Sequence, residues 1–413
     1  MKNYPLYILL ILLITSACAS NQKNQIFKQG EVIANQTISL YNPLNKDRVL
    51  VPVEINLSDL KVDMQLDTNT SLLVSQNNTI ISSQLDDLDN DGKADQLVCQ
   101  VRIGANSDSE LTIFRIGKSV AEKFQFKKGT YAQLGLKNGK NSFVIKDSIF
   151  SEKGDLYKET MHHGPALESD QMAYRMYFDD RSSIDIYGKI HSRLELDTTK
   201  WYSNDGFIAN EYGGDILFVS NTIGVGSLRT WNGKEAQIIK TTKGRYAVVR
   251  SSGPVRSVID MCAKGVNGEN ELLSRMIIYA GHREMIYRSF SKGELDIDFC
   301  TGVRKMDGAE LKINKKAGYI SLWGTDFPRI DHEKYPKVTV GLGVLVPKQY
   351  QTDLLAEDEF NHLIGVKPRD NFMEYYVVAA WNQQKNGIAS ADEMELFLRD
   401  LSLDVNHPIA IEY

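Results

Sequence analysis

Short segments in which apolar and polar residues alternate, separated by Gly, Asn and Asp, dominate the chain from about residue 31 onward. Residues 49–57 (VLVPVEINL), 60–66, 71–75 and 95–103 alternate at period two, which predicts strands with one buried face. The same period recurs at 172–178, 183–187, 216–220, 247–252, 255–261, 272–279, 285–290, 338–346 and 375–380. Asp179-Asp180, Asn232-Gly233 and Asn267-Gly268 supply turn residues between such runs. Helical spacing is confined to two places. Residues 353–364 form one candidate. Residues 390–401 form the other, where Ser390 and Glu393 make a capping box ahead of an apolar stripe at Met394, Phe397, Leu398 and Leu401. Strands in such excess predict an all-β protein of antiparallel sheets. We expect a small immunoglobulin-like β-sandwich over 31–117, a Lys- and Gly-rich linker over 118–142, and a large antiparallel β-sandwich over 143–413 with a helix near its end.

The first residues break this pattern. Lys2 precedes an apolar stretch over 6–14, then Thr15, Ser16 and Ala17 lead to Cys18. At about 1.5 Å per residue that stretch cannot cross a ~30 Å hydrocarbon core, so 1–17 reads as a signal peptide. Cys18 after small residues resembles a bacterial lipobox, although Thr15 stands where such boxes usually carry Leu. The implied protein is exported, lipidated at Cys18, tethered through 18–30 and held at the outer membrane facing the periplasm. An ordinary secretory signal is the other reading. The remaining thiols, Cys99, Cys262 and Cys300, have no metal-type spacing. They read as small buried hydrophobes, with a Cys262–Cys300 bridge as the alternative.

Charge narrows the partners. Against 48 Lys and Arg stand 53 Asp and Glu, a net charge of −5 over 413 residues, so no basic field gathers a phosphate backbone. Nucleic acid is excluded as a general partner. No dinucleotide fingerprint, P-loop, HExxH or nucleophile elbow stands in a fitting context, so no cofactor is required for the chemistry.

Three stretches carry candidate chemistry. Asp87, Asp89, Asp91 and Asp95, with Gly92 between them, follow the oxygen spacing of a Ca²⁺ loop, but Val98 occupies the position of the closing Glu. Either Ca²⁺ is held there or the acidic turn closes a hairpin. His162 and His163 precede Gly164-Pro165, with Glu168 and Asp170 close behind, a turn that can bring imidazole and carboxylate together. Arg175 and Tyr177 share a strand face, followed by Asp185, Tyr187 and Lys189; the arginine suits an acidic sugar and a structural salt bridge equally. Trp201, Tyr202, Asn204, Asp205 and the run 210–215, which includes Glu211, form an aromatic and polar loop of the kind sugar rings require.

The run 162–170, continuing through 172–178 and 184–189, resembles a domain-of-unknown-function family of bacterial lipoproteins associated with polysaccharide-utilisation genes. The acidic turn and the 375–381 strand with its following capped helix are similar as well. The large β unit also resembles the supersandwich of galactose mutarotases and several polysaccharide lyases, a fold-level likeness that leaves function open. Together these imply a carbohydrate-active enzyme that works on uronate-containing oligosaccharides or polysaccharides as a lyase, epimerase or hydrolase. In that reading His163 is base or acid, His162 its partner, Glu168 a second carboxyl group, and Arg175 a carboxylate clamp. Tyr177, Trp201, Tyr202 and Glu211 contact the sugar. A non-catalytic glycan-binding lipoprotein is the main alternative. The membrane is met only through the lipid anchor.

Overall fold

The alternating segments near the start pair into two facing sheets in a computed structural model that describes residues 26–413 apart from 29, 140, 141, 294 and 296. The expected signal segment 1–17 and Cys18 lie outside the described residues. One sheet holds Val32–Tyr41, Asp108–Gly117, Thr70–Gln76 and Thr79–Ile81; the other holds Arg48–Asn56, Gln96–Ile103 and Ser83–Asp86. Inward residues such as Ile38, Val53, Leu97 and Ile113 fill the space between them. A further strand, Ala410–Glu412, arrives from the far end of the sequence and pairs antiparallel with Ser39, Leu40 and Tyr41.

The larger unit is two-layered. Nine antiparallel strands form one layer, in spatial order Ser148–Ser151, Arg245–Ser252, Arg256–Val266, Asn270–Tyr279, Met285–Lys292, Phe372–Trp381, Val338–Leu345, Tyr319–Asp326 and Glu310–Asn314. Two five-stranded sheets form the other. The first runs Gly214–Asp215, Ile184–Gly188, Ala173–Met176, Ala166–Ser169 and Thr130–Gln133. The second runs Ala236–Gln237, Arg229–Trp231, Phe299–Arg304, Asn361–Val366 and Gln351–Glu357. Single bridges from Gly224 to Ile184 and from Val225 to Val303 join them. Tyr174, Met176 and Ile186 from this layer meet Met276, Leu342 and Val377 from the nine-stranded sheet in the main core. The protein is all-β with few helices, a small sandwich followed by a large antiparallel one.

The outer face of the nine-stranded sheet is covered twice. Val98 of the small sandwich packs on Val255, Val258 and Ile277. The helix Ala391–Asn406 lays Met394 and Leu398 on Tyr319, Leu345 and Val378. Gly343 permits that approach, since a Cβ there would stand 2.9 Å from a Leu398 methyl. The cap forms, with Ser390 Oγ accepting from Glu393 N at 3.2 Å, while the Glu393 carboxylate reaches one residue beyond the cap and accepts from Ala389 N at 2.7 Å.

Four local expectations are corrected. Residues 60–66 make no strand, because Leu60 and Met64, four apart, are the buried positions, and turns at Leu57–Asp59 and Val62–Met64 bring both inward. The helical spacing over 353–364 is overridden by pairing with Phe299–Arg304. Two strands turn there at Asp358, whose Oδ1 accepts from Phe360 N and Asn361 N. Within 118–142 the chain is no plain linker, since Thr130–Gln133 is the edge strand beside Ala166–Ser169. Residues 216–220 form no strand, the two-residue strand Gly214–Asp215 ending before them. Cys99, Cys262 and Cys300 are buried and unpaired, with burial pushing their thiols up to about 12, 11 and 12. They serve as small apolar side chains.

Replacing Ser390 with Ala removes the helix cap and lowers unfolding free energy by about 1 kcal/mol, read by urea denaturation. An unchanged midpoint means the helix is held by its packed face alone.

Candidate active site

Strand register sorts the sheet of Ala173–Met176 into two faces. Leu167, Tyr174 and Ile186 point into the main core. On the opposite face Glu168 lies beside Ala173, Tyr187 and Asp215 in one row, and Arg175 beside Ala166 and Asp185 in the next. A polar sheet face buried beneath a covering segment needs every charge partnered. Two ion pairs meet that need, and they divide the face into a closed half and an open half.

The closed half is built on Glu168 and Lys189, both with fully buried side chains. Glu168 accepts from Lys189 Nζ, from Glu195 N at 2.9 and 3.0 Å and from Leu196 N at 2.8 Å. Burial raises its pKa despite Lys189. With its oxygens spent on the start of the covering segment, Glu168 is a structural staple and does not face a cleft. Trp201 is buried there too, on Ala166, Ala173 and Tyr187.

The open half is built on Arg175. Its Nε donates to Asp185 Oδ2 at 3.0 Å, and Nη2 donates to the same oxygen. Nη1 donates to the His162 carbonyl and to Tyr202 Oη, each at 3.0 Å, and the guanidinium lies 4.4 Å from the Trp201 ring. Burial opposes its charge, but Asp185 and the surrounding oxygens outweigh burial and raise its pKa. Tyr177 Oη donates to Asp185 at 2.9 Å.

Asp215 behaves differently. Its Oδ2 stands 3.5 Å from Arg175 Nη2 and 3.5 Å from Arg329 Nη2, and Oδ1 has no hydrogen-bond partner. Burial, then the charge of Asp185, pushes its carboxyl up to about 7. Two carboxyl groups thus flank one guanidinium, one saturated with donors and one poised to hold a proton near neutrality.

The His162-His163 turn reaches this face through Gly164, where a Cβ would sit 1.9 Å from the Met176 carbonyl oxygen. Phe178 N donates to the His163 carbonyl at 2.9 Å and locks the turn to the strand end. The two imidazoles part company. His162 is buried, its Nε2 bonded to Gln133 Oε1 at 3.0 Å, and burial with Arg175 drives its pKa well down. His163 is half-buried and stacks on Tyr157 at 4.0 Å. Its Nδ1 lies 3.0 Å from the Tyr157 carbonyl, which can only accept, so Nδ1 carries the hydrogen and Nε2 keeps its lone pair. Burial lowers its pKa. His162, His163 and Trp201 have φ of 41°, 73° and 75°, a cluster of left-handed residues around one cleft.

The cleft, about 370 Å³, is lined by Tyr157, His163, Arg175, Tyr177, Asp185, Tyr202 and Asp215, with Arg329 and Tyr335 on its rim. Of the expected residues it brings together His163, Arg175, Tyr177 and Tyr202. His162, Glu168 and Trp201 lie beneath. Glu211 is on the surface, paired with His191 and with Lys385 at 2.9 Å. Asp215 was marked only as part of the run 210–215, and Arg329 and Tyr335 were not singled out in the sequence. The signal for the last two is a polar loop, 327–337, between two strong strand patterns. Two larger hollows, about 460 and 560 Å³, lie where the small sandwich meets the large sheet. Their charges neutralise one another, Arg256 with Glu54 and Asp86, and Arg288 with Glu54 and Glu374.

At the acidic turn, Asp87, Asp89 and Asp95 offer oxygens within 4.8 Å of one another. Asp91 is outside this group, its Oδ1 accepting from Lys93 N at 2.7 Å. Among the described residues no helix is long and apolar enough to cross a membrane.

Residues 40–411 match the family model described as "Domain of unknown function (DUF4861)". A curated relative, "Uncharacterized protein P7" from Formosa agariphila, is 21% identical and covers 98% of both chains. Among solved structures, a glycosyl hydrolase family 38 protein from Enterococcus faecalis is 7% identical with a TM-score of 0.42, over 92% of this chain and 48% of that one. An α-mannosidase from Enterococcus faecalis V583 is 7% identical with a TM-score of 0.40, over 92% of this chain and 46% of that one. The chain spans about half the length of these solved structures.

Changing Glu168 to Gln leaves Lys189 charged and buried without a counter-ion. Denaturant unfolding should show a loss of about 3–5 kcal/mol. Adding Lys189→Met should recover part of it; a neutral single mutant removes the staple from the account.

Proposed function

We propose that the chain, which belongs to the DUF4861 family, transforms uronate-containing oligosaccharides or polysaccharides by acid/base chemistry in the Arg175 cleft. The observation that carries this reading is the unequal pair of carboxyl groups on one guanidinium, Asp185 saturated and Asp215 raised to about 7 with a free oxygen. A carboxyl group raised in this way can hold a proton near neutral pH and deliver it to a leaving group.

Asp215 is assigned as proton donor and His163 Nε2 as proton acceptor. Tyr157, Tyr177, Tyr202 and Tyr335 offer ring faces and phenolic edges to a sugar. In a β-elimination His163 takes the proton α to the substrate carboxylate and a carbon–carbon double bond forms. The C–O bond to the leaving sugar breaks, and Asp215 protonates that oxygen. In a hydrolysis His163 deprotonates water instead, and in an epimerisation a proton returns to the opposite face. The acidic turn is proposed as a structural Ca²⁺ site using Asp87, Asp89 and Asp95.

Incubation with uronate oligosaccharides, followed by chromatography and ultraviolet absorbance, separates the outcomes. An unsaturated product marks a lyase, a saturated shorter one a hydrolase, and a diastereomer of equal length an epimerase. Calorimetric binding with no product favours the glycan-binding alternative and overturns catalysis. Asp215→Asn and His163→Ala should each lower turnover by about 10²–10⁴-fold. Activity falls as pH rises through about 7, where Asp215 loses its proton. It falls again on the acid side, below the ordinary imidazole range, as His163 gains one. Because folding raises the Asp215 pKa, the folded state holds that proton more tightly. The contribution of Asp215 to stability is therefore greatest below the ordinary carboxylate range and declines toward pH 7, a component of the pH slope that Asp215→Asn removes. Added Ca²⁺ should raise Tm, and Asp87→Asn with Asp89→Asn should erase the rise; no rise in the native chain rejects the ion.

A further inference from the structure

We propose that Arg329 is the specificity residue of the cleft, its guanidinium passing from Asp215 to an oxyanion on the bound sugar, a carboxylate or a sulfate ester. This rests on the function proposed above and assigns its anion recognition to a residue that the sequence did not single out.

Three guanidinium groups face the cleft, and two are spent. Arg175 has a side chain only 3% exposed, and its Nε, Nη1 and Nη2 all donate to Asp185, the His162 carbonyl and the Tyr202 and Tyr177 hydroxyls. Arg181 gives Nε and Nη2 to Asp179 and Nη1 to the Ser220 carbonyl. Among the described residues Arg329 makes one hydrogen bond, from Nη1 to Tyr335 Oη at 3.1 Å. Its Nη2 stands 3.5 Å from Asp215, and 26% of its side chain is exposed. A guanidinium has five N–H donors, so Arg329 retains the free edge that a bidentate oxyanion contact requires. The clamp expected at Arg175 therefore belongs to Arg329.

Its surroundings suit movement between two partners. The group lies over the Tyr202 ring at 5.0 Å and the Tyr335 ring at 4.5 Å, contacts that hold its plane and leave its edge open. It stands on loop 327–337, steadied by Phe327 stacked on His332 at 3.8 Å and carrying Ile330 77% exposed. The charged and titratable groups facing Asp215 are Asp185 and Arg175 from neighbouring strands, Tyr177, Tyr202 from the covering segment, and Arg329. Of the two cations, only Arg329 can leave. When it turns to a substrate oxyanion, Asp215 loses one charge that favours its ionised form and keeps its proton more firmly. Anion recognition thus arms the proton donor, while a neutral sugar leaves Arg329 on Asp215.

The test compares the full chain with Arg329→Gln and Arg329→Lys on a uronate oligosaccharide, its carboxyl-reduced counterpart and a sulfated one. Arg329→Gln should raise KM for the preferred anionic sugar about 10- to 100-fold and leave that for the neutral sugar nearly unchanged; Lys should recover part. On the neutral sugar the alkaline limb of the pH profile should move upward in Arg329→Gln. Whichever of the carboxylated and sulfated sugars loses more identifies the oxyanion. Equal losses on charged and neutral sugars, or none, overturn the assignment. Calorimetry with glucuronate and glucose keeps the two proposals separable. If no sugar is turned over, glucuronate binding that is lost in Arg329→Gln still supports this one. Equal binding of glucuronate and glucose, or glucuronate binding unaffected by the substitution, defeats it.

Discussion

A single buried guanidinium holds the cleft in shape. Arg175 can stay charged beneath the covering segment only if its donors all find oxygens, and each oxygen it finds belongs to a different part of the site. The His162 carbonyl fixes the turn that presents His163, Asp185 fixes the adjacent strand, and Tyr202 fixes the covering segment. Removing any one leaves a donor stranded in low dielectric, so the pieces stand or fall together. The left-handed backbone at His162, His163 and Trp201 is tolerated because this set of bonds over-determines it.

The second buried pair has a different consequence. Glu168 and Lys189 neutralise each other at the closed end and anchor the start of the segment that carries Trp201 and Tyr202. Anchoring a covering segment beside the cleft, without projecting into it, is how a site keeps its geometry before a ligand arrives. The cleft is supported from below and behind, and its loose side is the rim carrying Arg329.

What was legible in the sequence follows from what is local. Period-two alternation found strands such as Arg48–Asn56, where Val51, Val53 and Ile55 are buried and their neighbours are not, but it passed over Phe299–Arg304, which is buried on both faces. The Ser390 cap announced its helix because capping is settled within four residues. The 353–364 segment misled because its apolar spacing suits a helix, while pairing with the distant Phe299–Arg304 strand decided otherwise. At the site, His163, Arg175, Tyr177 and Tyr202 stood out by residue type. Their roles did not, since which guanidinium has spare donors depends on contacts between residues such as Arg181 and Ser220. Asp215 stood in the sequence only as the end of the polar run 210–215 until burial and Asp185 distinguished it.

The strand Ala410–Glu412 has a consequence for how the protein is made. It completes the sheet that Val32–Tyr41 begins, yet it is synthesised after all the strands of the large unit. Until it arrives, the edge of the leading sandwich at Ser39, Leu40 and Tyr41 carries unpaired backbone groups, the kind of surface that invites wrong pairing. Closing that edge requires contact between distant ends of the sequence, a slow step for any chain. The small sandwich is therefore made before the large unit, yet its pairing at residues 39–41 is among the last to form. A substitution that loosens Ala410–Glu412 would act first on that pairing, and only afterwards on the helix or the cleft.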